Sequence, residues 1–357
     1  TVDYTLADDQ SIEFLRSQSG GTPINLVGNN LNNWLSGGLA ADTLTGGAGN
    51  DTLEGRSSSV TMIGGTGDDV YYVDDAGDTV VEGTGGGYDK VFASANWVLG
   101  GGQEVEFLKA NAGATGLALT GNERANWILG GSGSDTLDGA GGDDTIDGGL
   151  GADTMIGGSG NDVFYVDDAG DSVIEGPGGG VLDKVLVSAN WTLTDGQEVE
   201  LVQLTAAVSV TGNSLNNWLL GSAGSDTLDG AAGNDKIDGG LGADVMIGGL
   251  GNDLFYVDNA GDSVGEAIGG GTDSVYTKVN WILTAGQEVE FLRVNTATGL
   301  SITGNDLSNQ LYGNNGADTL NGGGGRDYLF GGAGADTFAF SDNWGTDQVL
   351  DFQDGVD

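Results

Sequence analysis

Aspartates recur at nine-residue intervals along much of this chain, each set behind glycines, and that pairing is where its chemistry begins. Between Gly121 and Tyr165 the sequence reads GNERANWIL, GGSGSDTLD, GAGGDDTID, GGLGADTMI, GGSGNDVFY, five consecutive units of nine residues. Position six carries Asn126, Asp135, Asp144, Asp153 and Asp162, so carboxylate oxygens stand in a row. The later units open on Gly130, Gly139, Gly148 and Gly157. With no side chain in the way, the backbone of such a turn can come close to a bound ion. The chain contains no His and no Cys. A ligand set made only of oxygen suits Ca²⁺ far better than zinc or copper.

The elements that must position these oxygens follow from position eight, which carries Ile128, Leu137, Ile146, Met155 and Phe164. One apolar residue between two others makes a short strand with a single inward side chain, and the glycine-rich residues before it turn the chain around. Two units make one flattened coil, so each loop stacks on the loop two units along, Asp135 on Asp153 and Asp144 on Asp162. Stacked carboxylates and glycine carbonyls then enclose a cation. The unit, Gly-Gly-x-Gly-x-Asp-x-apolar-x, resembles the calcium-binding nonapeptide of the RTX, or haemolysin-type, repeat family. The resemblance implies an all-β fold, a right-handed parallel β-roll or β-helix solenoid, that binds on the order of a dozen Ca²⁺ ions. It also implies export by a type I system and folding outside the cell.

Four arrays of such units are expected. Residues 28–72 hold the candidate ligands Asp42, Asp51 and Asp69 with Gly46, and residues 121–165 hold those named above. Residues 212–256 hold Asn217, Asp226, Asp235, Asp244 and Asp253 with Gly230, Gly239 and Gly248, and residues 304–339 hold Asp318, Asp327 and Asp336. Between them lie β segments at 73–120, 166–211 and 257–303, into which the nine-residue step carries on as Asp78, Asp171 and Asp262. A longer glycine-rich turn (EGTGGGYD, EGPGGGVLD, EAIGGGTD) then leads to Asp89, Asp183 and Asp273. Residues 1–27 are lead-in strands. Their YTLADDQSIEFLR matches WVLGGGQEVEFLK from Trp97, so the chain starts inside a larger repeat of about 92 residues and is read as a piece of a longer protein. Residues 340–357 form a truncated cap beyond which a secretion signal is expected. One continuous rod, on the order of 95 Å long, is the expected architecture.

Three details carry their own expectations. The unit from Gly55 to Ile63 has Val60 where Asp belongs and Arg56 and Ser58 in place of its second and fourth glycines, so it should interrupt the ion row. Arg56 either replaces the missing cation beside Asp42 or Asp78 or points into solvent. The leading Asn33, Asn126, Asn217 and Asn309 either offer an amide oxygen to calcium or adopt a left-handed turn. Trp34, Trp127 and Trp218, at the outward position seven, either form a platform for sugars or cover the surface of the roll, and the second reading is preferred.

Composition narrows the function. The formal net charge is −43, from 53 acidic and 10 basic residues. That charge argues against nucleic acid or an anionic membrane as partner, and it keeps the calcium-free chain expanded. No apolar run is long enough to span a membrane. Without His there is no Ser-His-Asp triad, and no phosphate-binding loop is present, so the chain is not read as an enzyme. The expected role is a calcium-folded structural module, extracellular or on the cell surface, in an adhesin, biofilm or surface-layer component. Extracellular polysaccharide, other surface components and end-to-end self-association are the candidate contacts. The alternative is the folding and secretion appendage of an extracellular polysaccharide epimerase, lipase or protease.

Overall fold

The computed structural model describes residues 2–18, 20–56, 58–111, 113–266, 268–340 and 345–357. Ser57 in the irregular unit, Ala267 in the third glycine-rich turn and residues 341–344 of the closing segment lie outside them. Among the described residues every regular element is a strand and every pairing is parallel, with no helix long and apolar enough to cross a membrane. The chain divides into two units, Thr1–Lys184 and Val185–Asp357, and the boundary falls within the second inter-array segment.

In the first unit, alternate strands build two faces. One face runs through Phe14–Arg16, Trp34–Ser36, Thr52–Glu54, Val70–Val73, Lys90–Ala93, Phe107–Ala110, Trp127–Ser132, Thr145–Leu150 and Val163–Val166, each hydrogen-bonded to the next. The other face is made of two ladders. One joins Tyr4–Thr5 to Thr79–Val81 and the other joins Trp97–Val98 to Ser172–Ile174. The second unit repeats the plan. Its long ladder runs from Leu201–Leu204 to Gln348–Val349, and its shorter ones from Trp191–Thr192 to Ser263–Gly265 and from Trp281–Ile282 to Thr337–Ala339. This is the parallel β-solenoid that the nine-residue pattern predicts.

A coil takes 18 residues within the arrays, where Trp127 pairs with Thr145 and Ile128 with Ile146. Between arrays the coil length varies: Lys90 pairs with Phe107, 17 residues on, and Trp97 with Leu119, 22 on. Both kinds of coil meet one constraint, an inward apolar residue in nearly every strand away from the chain ends. Leu44, Leu53, Met62, Ile128, Leu137, Ile146, Met155, Leu228, Ile237 and Met246 are all completely buried. Removing one such side chain is expected to cost about 2–5 kcal/mol, as for other core leucines and methionines. Not all strands stop at three residues. Thr43–Ala48 and Thr145–Leu150 run on through the first three positions of the following unit, so their ladders extend into the corner.

The corner fixes the backbone at position two. Gly47, Gly65, Gly149 and Gly158 there have φ between 81° and 115°, and the non-glycine residues Arg56, Ala140, Ala231 and Asn314 are held at 66–73°. The left-handed region costs an L-residue about 1–2 kcal/mol, against the roughly 0.5–1 kcal/mol of chain entropy that glycine loses. Replacing Ala140 by glycine is therefore expected to stabilise the calcium-loaded fold by up to about 1 kcal/mol. Denaturant unfolding in saturating calcium checks this, and a loss of stability of similar size would show that position two does not set the corner.

Candidate metal centres

Within the arrays most position-six aspartates are held through one oxygen. Oδ1 of Asp144 accepts the N–H of Asn126, that of Asp153 the N–H of Asp135 and that of Asp162 the N–H of Asp144, all at 2.7 Å. Asp235, Asp253 and Asp327 do the same for Asn217, Asp235 and Asn309 at 2.7–2.8 Å. These bonds link residues one coil apart and lock the carboxylates into two stacked rows, one for each set of alternate loops. The second oxygen is then left over. Oδ2 of Asp51, Asp69, Asp144, Asp153, Asp162, Asp235, Asp244, Asp253, Asp318, Asp327 and Asp336 is buried without a hydrogen-bond partner.

What these oxygens face is defined by the glycines at position one. A Cβ on Gly139 would collide with Asp144 Oδ2 and lie 2.6 Å from the carbonyl oxygen of Gly157. On Gly46 it would meet Asp51 Oδ2 and the Gly64 carbonyl, and on Gly230 it would meet Asp235 Oδ2 and the Gly248 carbonyl. On Gly130 it would lie 3.0 Å from Asp135 Oδ2 and against the Gly148 carbonyl, while on Gly148 and Gly239 it would press on Asp153 and Asp244. A carboxylate oxygen and, at most of these points, a carbonyl oxygen from the next coil therefore converge where only glycine leaves room. The donors are hard oxygens, several are otherwise unsatisfied, and they fit a calcium ion. Without one, burial drives the carboxyls toward their neutral form. It pushes Asp144 up to about 8, against the hydrogen bond from Asn126 and helped by the charge of Asp162. Burial likewise takes Asp51, Asp235 and Asp327 to about 7 and Asp69, Asp153 and Asp244 to about 6.

The ladder ends are built differently. Asp42, Asp135 and Asp226, near the start of their arrays, turn Oδ2 to the N–H of Gly38, Gly131 and Ser222 at 2.7–2.9 Å. Asp78, Asp171 and Asp262 each accept two further N–H groups, from residues 74 and 75, 167 and 168, and 258 and 259, at 3.1–3.3 Å. Protein donors already satisfy these oxygens. The leading asparagines also close the row with protein contacts. Asn126 Oδ1 accepts the N–H of Asn122 and its Nδ2 donates to the Val105 carbonyl at 2.8 Å; Asn217 repeats this with Asn213 and Val199. None of Asn33, Asn126, Asn217 and Asn309 has positive φ, which corrects the left-handed-turn reading. An amide serves here because the preceding coil presents a carbonyl, which needs a donor that a carboxylate lacks.

At the irregular unit the ladder persists through the backbone. Val60 is buried, and its N–H reaches Asp78 Oδ1 at 2.9 Å. Above it the N–H of Asp42 turns to the carbonyl of Ala40. Arg56 takes neither expected place: its Nε lies 3.2 Å from Glu54 Oε2, at the end of the strand just before it.

The outer aromatic residues lie along the strand faces. Trp34 meets Phe14 and Trp127 meets Phe107 edge-on, each at 5.4 Å, and Phe107 continues through Phe92 to Tyr72. Lys236 Nζ sits 3.8 Å above the Trp218 ring. Cross-strand packing of this kind lays the rings along the roll, and Trp34, Trp127 and Trp218 remain 37–48 % exposed.

Several buried or half-buried polar residues escaped the sequence pattern. Asn29, Asn122, Asn213 and Asn305 each tie Nδ2 to two carbonyls of the preceding coil. At position nine, Asp138, Asp147, Asp229 and Asp238 accept the N–H two residues on and brace the corner. Their signal was the repeated GN and the recurrent Asp before each glycine pair. Glu82, Glu175 and Glu266, which follow strands in the inter-array segments, face into the ladder beside Asp69, Asp162 and Asp253.

A family model for the RTX calcium-binding nonapeptide repeat, four copies long, matches residues 27–59, 50–80, 120–155, 144–173, 211–246, 220–255, 232–264 and 303–338. The matches cover more than half of the chain and coincide with the stacked carboxylate rows. The search of curated proteins finds no match. The repeated Gly-Asp corners, their buried unsatisfied oxygens and this match lead to one assignment: the chain belongs to the family of RTX calcium-binding nonapeptide-repeat proteins.

Proposed function

We propose that the chain is a calcium-folded structural module acting outside the cell, in a surface, adhesive, biofilm or surface-layer component. The observation that carries the reading is the row of buried Oδ2 atoms with no protein donor, which a divalent cation neutralises and which otherwise leaves like charges stacked one coil apart. Calcium is abundant outside cells and scarce within, so such a chain stays extended before export and folds afterwards. The buried position-six aspartates are committed to the ladder, and we assign the chain no catalytic role.

The test separates a surface role from folding alone. Calcium-loaded chain is incubated with extracellular polysaccharide or intact cells and sedimented, with chelator as control. Retention that depends on calcium is the expected result. If the chain folds on calcium yet is retained by neither, the surface role fails and the bare folding module remains.

A further inference from the structure

Most of the nonapeptide cradles described above combine a carboxylate with a carbonyl oxygen of the next coil. At the end of each of the first three arrays the donor set changes. Asp69, Glu82 and Asp89 bring one oxygen each to within 4.8 Å of one another, as do Asp162, Glu175 and Asp183, and Asp253, Glu266 and Asp273. We propose that each trio is a cation site of a second type, a three-carboxylate clamp for a hard divalent ion at the point where the array gives way to the next segment.

The geometry behind this is independent of the acidic composition. Asp69, Asp89, Asp253 and Asp273 are at least 98 % buried, and Oδ2 of each has no hydrogen-bond partner. They are held as the ladder aspartates are: Asp89 Oδ1 accepts the N–H of Asp69 at 2.8 Å, and Asp273 Oδ1 that of Asp253 at 2.7 Å. The glutamate arrives from the other side. A Cβ on Gly157 would strike Glu175 Oε2 and lie 2.5 Å from Asp162 Oδ2, and a Cβ on Gly248 would strike Glu266 Oε1 and Asp253 Oδ2. In the interior cradles at Gly139 and Gly230 a glycine carbonyl of the following coil reaches that place. Glu175 and Glu266 thus put a charged oxygen where the repeat otherwise puts a neutral one.

The site also coincides with a step in register. Within an array the ladder bond spans 18 residues, as from Asp144 to Asp162, but it spans 21 from Asp162 to Asp183 and 20 from Asp253 to Asp273. The additional residues lie in the stretch that holds the glycine-rich turn, where the 18-residue register is broken. An ion bound to the aspartate before the turn, the aspartate after it and the glutamate between them closes that loop at both ends. Three carboxylates around one divalent ion leave a net negative charge, so such a site favours highly charged hard cations, and a trivalent lanthanide neutralises it more fully than calcium does.

The three sites are not equivalent. Tyr71, fully buried, donates its hydroxyl to Glu82, whereas Phe164 and Phe255 hold the same place beside Glu175 and Glu266. The Tyr71 hydroxyl competes with a cation for Glu82, and a phenylalanine offers no such donor; Glu266 Oε1 does accept the N–H of Gly249 at 3.2 Å, and the phenylalanine-lined pair are the sites to test.

This inference rests on the calcium reading of the repeats, and the experiment separates the two. The unaltered full chain is crystallised in calcium, and anomalous difference density locates the ions. Peaks at the Gly-Asp corners together with peaks inside the Glu175 and Glu266 trios are expected. Peaks at the corners with none in the trios overturn the clamp and leave the repeat sites standing, while peaks at neither overturn both. In solution, native mass spectrometry of the chain carrying Glu175→Gln and Glu266→Gln should count one ion fewer for each substituted glutamate. An unchanged count in a folded variant overturns the clamp.

Discussion

Removing calcium is expected to abolish most of the β structure of the chain. Each unsatisfied Oδ2 lies one coil from at least one other carboxylate, and the whole chain carries a net charge of −43. Strand pairing brings these groups together, so the ion-free fold bears the repulsion and the desolvation without compensation. The apolar ladder cannot offset this alone, because each three-residue strand buries a single side chain. Ligand binding adds about 2.7 kcal/mol of stability per site when calcium is a hundredfold above its dissociation constant. Several such sites together exceed the roughly 5–15 kcal/mol by which proteins of ordinary stability are folded, so folding free energy here is largely binding free energy. Far-ultraviolet circular dichroism in excess chelator should show a disordered chain, and calcium should restore a parallel-β spectrum in one cooperative step. A chelated chain that retains its full β signal and its thermal midpoint would refute the coupling.

What could be read from the sequence was whatever the nine-residue period enforces. Leu137, Ile146 and Met155 had to face inward and Asp144 had to stack on Asp162, because a coil of two units admits no other register. The expected solenoid and its stacked loops follow from that arithmetic. What lay beyond it depended on departures from the period. Glu175 occurs once per large repeat and off the nine-residue count, so nothing in the spacing tied it to Asp162; only the turn between Asp162 and Asp183 brings them together. For Arg56 the spacing left two places open, a carboxylate one coil away or solvent, and the side chain takes neither, lying instead on Glu54 two residues before it. Asn122 was hidden because its role is toward the coil before the array, where it ties down the carbonyls of Gly100 and Gln103. Period reveals what repeats every coil, and the residues that join unlike coils carry no period.

Protons and calcium are expected to compete for the same oxygens, with opposite consequences for the loaded and the chelated chain. In the ion-free fold burial raises Asp144 and Glu82 to about 8 and Asp51, Asp89, Asp235 and Asp327 to about 7, from ordinary values of 3.8 for Asp and 4.5 for Glu. An acid whose folded value lies above its unfolded one binds more protons in the fold. The ion-free fold is therefore free of this penalty below the unfolded value, loses stability as pH rises through the interval, and bears the full penalty above about 8. Acidifying the chelated chain from about pH 8 to about pH 5 should recover part of the β spectrum. Calcium binding has the reverse dependence, since the ion must displace those protons, and its apparent affinity should fall as pH drops through the same range. Calorimetric titrations near pH 7 in buffers of different ionisation enthalpy should show protons released as calcium binds. A chelated chain that gains structure on going from pH 5 to pH 8, or calcium uptake without proton release near pH 7, would mean that these carboxylates are not buried together in the fold.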